Sequence, residues 1–535
     1  MTRVILMRLV LPGLMLALWC QGQTASPVHL NCGGTNNTSA SPRYAGSRGN
    51  AAPGNVSKLP IRSLLYSGSQ TRIFARYMPW FGDRHHREVG YQSDDEQQVA
   101  RQVDDMMSRG IQGAIVDWYG PDSGAKNKST ILLMKEAERR NFEFAVSEDA
   151  GALSECQKRG CDVTEQLISD LRYAAEHFEE SPSYIRFESR PAVFFFGLEK
   201  SPIDWRRVRE SVPGNPLFFF RNSGAFANPD SDGGYAWIAP ETAGAGDPMA
   251  MKYLDRFYSK AQGSNKIAIG SAYKGFDDAE ASWGKGHVIE QRCGQTWLAT
   301  LGEAGHFYSS KHQLPALIIP TWNDYEEGTE IETGIENCVS VQASLADDRL
   351  AWTVSGSENT IDHFAVLAQT GREWVEAVDL PAGSHSVKMS ELQSREEPAA
   401  FCVEAVGKAS MLNHFSQAIR NSGRSAEIRG TDFLFFGAVD NEAGLGTESS
   451  QQSGNDAFPF HIERVPAHRL SGAAVPVSGV SLIALFAMEV GVNPGTFRSL
   501  VLLSGFVRSF PIVLGIPPQT GEGMREPVRQ SVGLE

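Results

Sequence analysis

Positive charge is in deficit in this sequence. The 535 residues contain 49 lysines and arginines against 63 aspartates and glutamates, which gives a formal net charge of −14. A surface of that sign repels a phosphate backbone, so the composition argues against a nucleic-acid partner. An acidic, aromatic-rich chain suits neutral substrates such as sugars instead.

The two ends of the chain do not have the composition of a packed domain. Residues 1–25 combine Arg3 and Arg8 with an apolar core and small residues, the layout of a secretory signal peptide. A lipoprotein signal ending at Cys20 and an N-terminal membrane anchor stay open as alternatives. Residues 26–69 are rich in Ser, Gly, Asn and Pro, which predicts a flexible linker. We therefore expect a secreted, extracellular or periplasmic protein.

Cysteine is scarce, with seven in the chain. No Cys-x-x-Cys pairs with histidines occur at zinc-ligand spacing, so we expect no structural zinc. Six cysteines lie outside the leader, and an even number in an exported chain is compatible with disulfides. Cys156 and Cys161 are close enough for a small disulfide loop, whereas the pairing of the other four cannot be read from the sequence.

Residues 70–337 alternate apolar runs with amphipathic helical patterns. The strand-like runs are 72–80, 111–120, 142–149, 190–197, 216–220, 234–240, 266–273 and 314–324. Near-continuous apolar strands separated by helices are typical of a parallel sheet covered on both faces. Eight such units in this length predict an α/β fold of the (β/α)8 TIM-barrel type. An open doubly wound sheet is the alternative, but no Gly-x-Gly-x-x-Gly turn follows the first strand.

After residue 337 the apolar pattern changes to a period of two. Short strands separated by turn residues continue to residue 421, which predicts a small antiparallel β-sandwich. Trp352, Phe364 and the run FCVEAV resemble the core of a fibronectin type III module, for which we expect a structural or adhesive role.

The tail, residues 422–535, has no clear assignment. It combines a low-complexity stretch typical of disorder with an uncharged apolar segment at 471–488. That segment is barely long enough to span a bilayer and contains Pro476. Membrane attachment through it is an alternative that we do not favour.

The most informative stretch is TWNDYEEGTEIE, residues 321–332, which contains five carboxylates. It follows the uncharged run LPALIIP, which predicts a buried strand. Like charges held together repel, so a metal, a cationic ligand or acid–base chemistry is needed to explain them. The spacing does not follow an EF-hand calcium loop. We therefore favour acid–base chemistry and predict neither a metal nor a cofactor.

The predicted strand ends repeatedly combine an aromatic residue with an acid. In a (β/α)8 barrel these ends form the active site, and two carboxyl groups flanking one bond are the minimum equipment for glycoside hydrolysis. A single Trp at a strand end is more often part of the hydrophobic core, and a single Asp there often caps the following helix. The interpretation therefore depends on the same combination recurring at several strand ends. The third strand ends in Glu148 and Asp149, and we predict Glu148 as the substrate-binding residue of the two. The predicted substrate-binding residues are Tyr77, Trp80, Asp117, Trp118, Tyr119, Glu148, Trp237, Glu241, Tyr273, Trp283, Trp322 and Asn323.

The run WNDYEEGTEIE resembles the strand-eight motif of two related families of glycoside hydrolases. In family 71, the α-1,3-glucanases or mutanases, the motif reads Trp-Asn-Asp-Tyr followed by Gly-Glu-Ser. In family 99, the endo-α-mannosidases, it reads Trp-Asn-Glu-Trp-His-Glu-Gly-Thr. This sequence has the Asp of the first and the Glu-Gly-Thr of the second. MPWFG (78–82), GIQGAIVDWYG (110–120) and SPSYIRFESRPAVFFFG (181–197) are also similar, and the resemblance covers only the barrel.

The resemblance implies a role for two of the acids. Asp324 takes the place of the base and Glu327 that of the acid, which are the predicted catalytic residues. The family 99 base is a Glu thought to act through the sugar 2-hydroxyl, whereas Asp agrees with family 71, where inversion by water is expected. An acid that protonates a leaving oxygen needs a raised pKa, which a neighbouring carboxylate and a dry cleft supply. Glu326 and Glu330 are candidates for that neighbour, and solvent-facing positions stay open for both.

We therefore expect a secreted glycoside hydrolase that cleaves α-glycosidic bonds of a polysaccharide, as an endo-α-1,3-glucanase. An endo-α-mannosidase-like enzyme acting on mannans or N-glycans is the alternative. A barrel that binds polysaccharide without cleaving it is a third hypothesis of a different class.

Overall fold

In the computed structural model, residues 55–421 are described, apart from residues 371–372 and 393–396. Outside that range the description covers four short strands. Gly49–Asn50 pairs with Val439–Asp440, and Ile483–Phe486 pairs with Val501–Ser504, both antiparallel. The predicted leader, the first part of the predicted linker and nearly all of the predicted tail lie outside the described residues.

Eight parallel strands form the centre of the described chain. They are β1 (Arg72–Tyr77), β2 (Gly113–Trp118), β3 (Glu143–Asp149), β4 (Arg190–Phe196), β5 (Leu217–Arg221), β6 (Gly233–Tyr235), β7 (Ile267–Ser271) and β8 (Ala316–Ile319). Each strand pairs with the next, and β8 pairs with β1, so the sheet closes into a barrel. The predicted barrel is confirmed. Its strands are nearly uninterrupted in apolar residues because helices cover the outside while side chains fill the inside.

Seven helices accompany the strands. They are α1 (Glu96–Ser108), α2 (Ala125–Arg140), α3 (Ala150–Arg159), α4 (Val163–His177), α5 (Trp205–Ser211), α6 (Met251–Gln262) and α7 (Gln295–Glu303). Helical patterns at 94–110, 131–140, 163–178, 248–262 and 291–304 of the sequence predict α1, α2, α4, α6 and α7, whereas no pattern predicts the short α3 and α5. Between β5 and β6 the chain turns through the 3-10 helix Ser223–Ala227.

Short elements connect and decorate the barrel. Arg186–Phe187 pairs antiparallel with β4, and Phe276–Asp277 pairs antiparallel with Val288–Ile289. The remaining 3-10 helices are Ile61–Leu64, Leu198–Lys200, Pro240–Thr242, Ala304–His306, Glu358–Thr360 and Met389–Glu391. Within the described part of the chain, no helix combines the length and the apolarity needed to cross a bilayer.

Two antiparallel sheets follow the barrel. Their strands are β9 (Ser340–Ala346), β10 (Arg349–Ser355), β11 (Ile361–Thr370), β12 (Glu373–Pro381), β13 (Ser386–Lys388), β14 (Ala400–Gly407), β15 (His414–Phe415) and β16 (Ile419–Arg420). One sheet has the order β9-β10-β13; the other has the order β12-β11-β14, with β15 and β16 both paired to β14. Trp352, Phe364 and Val403 belong to one core that the two sheets share. We call this part, residues 338–421, the two-sheet region.

The segment 55–69 differs from the flexible linker that its composition predicts. Ile61 is fully buried and begins a 3-10 helix. The Ser57 N–H donates to the Met411 carbonyl at 2.8 Å, and Lys58 forms an ion pair with Asp105 of α1. A few apolar and charged side chains among many Ser and Pro residues are enough to hold the segment against the barrel.

Two disulfides join pairs of described residues, and Cys402 is also disulfide-bonded. The expected loop between Cys156 and Cys161 is closed. Cys293, just before α7, is joined to Cys338 at the start of the two-sheet region. The second bond therefore connects the barrel to the sheets that follow it.

Candidate active site

The acidic stretch after β8 folds into a tight turn that Asp324 organises. Oδ1 of this buried side chain accepts the backbone N–H groups of Glu326 and Glu327, each at 3.0 Å. The Asp324 N–H donates to the Thr321 hydroxyl at 2.7 Å, and the Thr329 N–H donates to the Asp324 carbonyl at 3.1 Å. These bonds hold the backbone on both sides of Glu327.

The other three carboxylates of the stretch are buried and have partners. Glu326 contacts His86 Nδ1 at 2.9 Å, and Glu330 pairs with Lys274 at 2.9 Å. Glu332 accepts hydrogen bonds from Gln102, Tyr91 and Tyr325 at 2.7, 3.0 and 2.7 Å. The structure thus excludes the solvent-facing alternative for Glu326 and Glu330.

Asp324 and Glu327 both favour their protonated forms. Burial raises the pKa of Asp324 well above its usual range, the Glu327 carboxylate raises it further, and the two backbone N–H groups oppose the shift. Burial also raises the pKa of Glu327. The Trp283 indole N–H, which donates to Glu327 Oε1 at 2.9 Å, opposes that shift, whereas Asp278 and Asp117 add to it. Because the two carboxyls interact, they take up a proton as a pair.

A second acidic group lies at the ends of β2 and β3. Asp117 forms a buried ion pair with Arg76 of β1. The Tyr119 side chain interacts with both Asp117 and Asp149. Burial and, to a smaller extent, the Asp117 carboxylate together raise the pKa of Asp149 to about 7. Since the charge on Asp117 also acts on Glu327, the two acidic groups face the same mouth of the barrel.

Aromatic rings surround this mouth. Trp80 stacks on His86 with a centroid distance of 4.7 Å and meets Tyr119 and Trp283 edge to face at 6.3 and 6.2 Å. On the opposite side Trp237 lies 5.5 Å from the Arg76 guanidinium. Trp283 is 44% exposed, so it offers an apolar face to a ligand next to Glu327, to which its indole N–H donates. The arrangement combines aromatic walls with paired acids, as sugar hydrolysis requires.

Six of the twelve predicted substrate-binding residues lie at or near this mouth. Asp117, Tyr119, Trp80, Trp237 and Trp283 belong to the groups described above. Glu241 is exposed on the 3-10 helix Pro240–Thr242, which follows Trp237.

Three of the predicted residues face the helices instead. The Tyr77 hydroxyl donates to Gln102 of α1 at 2.9 Å, and the Trp118 indole donates to Asn127 of α2 at 3.0 Å. Glu148 is buried and interacts with Asp170 of α4. Side chains alternate across a strand. Because Arg76, Asp117 and Asp149 point into the barrel, the residues adjacent to them point outwards.

The other three predicted residues stabilise the loops around the mouth. Asn323 binds both the N–H and the carbonyl of Met78, at 2.8 and 3.0 Å. The Tyr273 hydroxyl donates to the Met249 carbonyl at 2.9 Å. Trp322 is fully buried under the Arg109 guanidinium, 4.9 Å from its ring centroid. These contacts give the three residues a place in the framework rather than in the mouth.

Four residues of the site are absent from the set predicted from the sequence. For two of them, Arg76 and Asp149, the sequence contains a pattern that indicates their position. Arg76 is a charge within an apolar strand, and Asp149 lies two positions after Ser147, which pairs with Asp117. His86 and Asp278 lie in loops, where no periodicity indicates the direction of a side chain.

The described residues also form a cleft away from the carboxyl pair, and they contain no metal cluster. The cleft has a volume of about 330 Å³ and runs along α6, lined by Thr242, Gly244, Gly246, Asp247, Lys252, Tyr253 and Arg256. Among the described side chains, no group of three or more His, Cys, Asp or Glu is arranged to hold a metal ion.

Comparison with known proteins gives only distant similarities. No protein-family model matches the chain, and no curated protein is significantly similar in sequence. A glycoside hydrolase family 99 endo-α-mannosidase from Bacteroides thetaiotaomicron is 17% identical over 52% of this chain and 90% of its own, with a TM-score of 0.39. The same type of enzyme in complex with bis-tris propane is 18% identical over 50% and 87%, with a TM-score of 0.39. A glycoside hydrolase-like protein is 13% identical over 49% and 87%, also with a TM-score of 0.39. The fold assignment therefore depends on the strand topology given above.

Proposed function

We propose that this protein is a glycoside hydrolase that cleaves α-glycosidic bonds of a polysaccharide. The observation that carries the proposal is the carboxyl pair of the buried Asp324 and the half-buried Glu327, with Glu327 bonded to the exposed Trp283, at the carboxyl ends of the barrel strands. Active sites of (β/α)8 enzymes lie at this end. The pKa values of both carboxyls are raised, which favours a protonated group that can donate to a leaving oxygen.

Glu327 is the proposed general acid and Asp324 the proposed general base. Asp324 accepts two backbone N–H groups and Glu327 one indole N–H. The roles follow the motif resemblance, in which Asp324 takes the place of the base and Glu327 that of the acid. The two backbone N–H groups favour the ionised form of Asp324 and act against its burial, which raises the pKa of Asp324 well above its usual range. In the reaction Glu327 gives its proton to the leaving oxygen as the glycosidic bond breaks. Water forms the new bond to the anomeric carbon and gives a proton to Asp324.

The proposed substrate is an α-1,3-linked glucan cleaved within its chain. Asp at position 324 agrees with the family 71 motif, and its short side chain leaves room for the attacking water. The alternative is an endo-α-mannosidase-like enzyme, which the sequence Glu327-Gly328-Thr329 favours because it agrees with the family 99 motif.

Incubation with a panel of α-glucans and α-mannans, followed by chromatography of the products, tests the proposal. Asp324→Asn keeps the oxygen that accepts the two N–H groups, and Glu327→Gln keeps the shape of the side chain. Each is expected to reduce kcat by about 100-fold or more with an unchanged melting temperature. Glu303→Gln, which removes another largely buried acid on α7, is the matched control and should retain the parental rate.

Two results would count against the proposal. Near-parental rates of both variants, on a substrate that the parent cleaves, would remove Asp324 and Glu327 from the chemistry. A parent that binds a glycan and cleaves none of the panel would favour the polysaccharide-binding barrel.

The proposed stereochemical course is inversion. Inverting glycosidases hold their carboxyls about 6.5–9.5 Å apart to admit a water, whereas retaining ones hold them about 5–5.5 Å apart. Proton NMR of the first product from an α-linked substrate distinguishes the two courses. Early appearance of the β-anomer is expected, and early appearance of the α-anomer would instead favour the route through the 2-hydroxyl.

We also propose that the protein is secreted and that residues 338–421 form a fibronectin type III-like module. The signal-peptide pattern and the two disulfides, which persist in oxidising compartments, support secretion. Two antiparallel sheets that share one core support the module. Its role in this proposal is structural.

A further inference from the structure

Trp283 makes a polar contact that an aromatic platform does not need. Its indole N–H donates to Oε1 of Glu327 at 2.9 Å, although nearly half of the side chain is exposed. The neighbouring Trp80 is buried, and its indole nitrogen has no hydrogen-bond partner among the described residues. Two tryptophans thus line one mouth, and one of them is bonded to the proposed acid.

The loop that carries Trp283 is held in place by a carboxylate. Asp278 accepts the Lys285 N–H at 2.9 Å and the His287 N–H at 2.8 Å, which closes the loop 278–287 on itself. The Asp277 N–H donates to the Glu327 carbonyl at 2.9 Å and joins the loop to the turn after β8. The indole therefore reaches Glu327 from a backbone that is attached on both sides.

We propose that Trp283 is a positioning residue for Glu327. Its N–H holds Oε1, so that the proton of the carboxyl resides on Oε2 and points towards the leaving oxygen. The inference rests on the proposed function, because it assigns the orientation of the proposed general acid. Trp283 is not itself a catalytic residue in this scheme, since its N–H acts through Glu327.

The charges around Glu327 set the direction of the expected effect. Asp278 from the loop, Asp117 from β2 and Asp324 from the same turn disfavour its ionisation. Arg221 at the end of β5 favours it. His86 packs against the Trp283 ring and His287 lies 3.6 Å from Asp278. Among these neighbours the indole N–H is a donor to the carboxylate, so its removal raises the pKa of Glu327 while the other charges stay in place.

Trp283→Phe separates the hydrogen bond from the ring, because it removes the N–H and keeps an aromatic face. The basic limb of the pH profile of kcat/KM reports the pKa of the general acid. For the loss of one hydrogen bond we expect this limb to move up by about half to one pH unit. Trp352→Phe in the two-sheet region is the matched control, since it removes a buried indole N–H that has no acceptor among the described residues, and its basic limb should not move. An unmoved limb in Trp283→Phe, with an active parent, would overturn the inference.

A second readout does not depend on hydrolysis. In protein labelled with 5-fluorotryptophan, ¹⁹F NMR shows the ten tryptophans, and Trp283→Phe identifies the signal of Trp283. That signal should titrate with pH, and the titration should vanish in Glu327→Gln. If the signal titrates but no glycan is cleaved, the contact stands and the proposed function fails. If glycan is cleaved but the signal does not follow Glu327, the positioning inference fails alone.

Discussion

Glu148 is a buried acid that faces another acid. It lies on the outer side of β3 with no exposed surface, and its oxygens have no partner other than Asp170 within the described residues. Burial raises the pKa of Glu148 well above its usual range, and the Asp170 carboxylate raises it further. Burial raises the pKa of Asp170 to about 6. The two side chains therefore share a proton more readily than they carry two charges.

This pair predicts how stability changes with pH. Both groups bind their protons more tightly in the folded chain than in the unfolded chain. Their contribution is therefore fully present below about pH 4 and is lost as pH rises through about 6 and above. Glu148→Gln should flatten this decline by roughly 1–3 kcal/mol. Urea unfolding from pH 4 to 8 measures the difference between parent and variant.

The exposed acid Glu176, on the same helix as Asp170, provides the control for this prediction. Glu176→Gln should leave the pH dependence of stability as it is in the parent. A Glu148→Gln variant whose stability declines with pH as steeply as that of the parent would show that Glu148 is ionised in the folded chain.

Strand periodicity explains which site residues the sequence could supply. The predicted set names Asp117 together with its neighbour Trp118, but a strand cannot send both into the barrel. The structure directs Asp117 inwards, and the parallel register then places Ser147 and Asp149 inwards as well and Glu148 outwards. The register between β2 and β3 determines that Asp149, and not Glu148, points into the barrel. A single sequence does not show this register.

The loop 278–287 is the element that connects the fold to the proposed chemistry. Gly284 lies next to Trp283, and a Cβ at this position would come within 1.8 Å of the Asp278 carbonyl oxygen. Backbone, rather than a flexible side chain, is the obstacle, so the loop must open if the residue is enlarged. The position of the Trp283 indole depends on this close approach.

We expect Gly284→Ala to displace Trp283 from Glu327. Misplacing a positioning group by about 1 Å costs roughly 10- to 100-fold, and a loss of kcat/KM of that size is expected. Hydrogen exchange should become faster within residues 278–287, while the melting temperature changes little. Gly246→Ala is the control, because its Cβ would meet no atom within 4 Å. If Gly284→Ala has the same hydrogen-exchange rates and the same activity as the parent, the loop tolerates a side chain at this position.

Elements differed in how well the sequence predicted them. All eight barrel strands were predicted because burial on both faces leaves an apolar run that little else produces. The helices α3 and α5 were missed because each is short and begins directly after a strand end or a turn, without several turns of apolar periodicity. Residues 55–69 were predicted as linker because the average composition of the segment is polar. Its packing depends on single apolar residues, Val56 and Ile61, which are buried and which an average hides.

The barrel and the two-sheet region are joined through residues 409–413. The Trp297 indole of α7 donates to the Ala409 carbonyl at 3.0 Å, and the Leu412 N–H donates to the Ile335 carbonyl at 2.9 Å. Ala409 and Met411 are fully buried and belong to the barrel core. The sequence pattern changes near residue 337, but the hydrophobic core of the barrel does not end there. It includes residues from beyond that point.

This arrangement predicts that the barrel needs the two-sheet region but not the tail. A chain ending at residue 421 should melt and react like the full chain, because it contains the acids of the mouth and all eight barrel strands. A chain ending at residue 334 should melt at a lower temperature, since it loses Met411 and Ala409 from the barrel core.

Met411→Ala in the full chain tests the same contact without truncation and should lower the free energy of unfolding by about 2–5 kcal/mol. The exposed Val375→Ala should cost far less. If the chain ending at 334 melts with the parent, the two-sheet region is an appendage, and the core contacts of Met411 contribute nothing to the barrel.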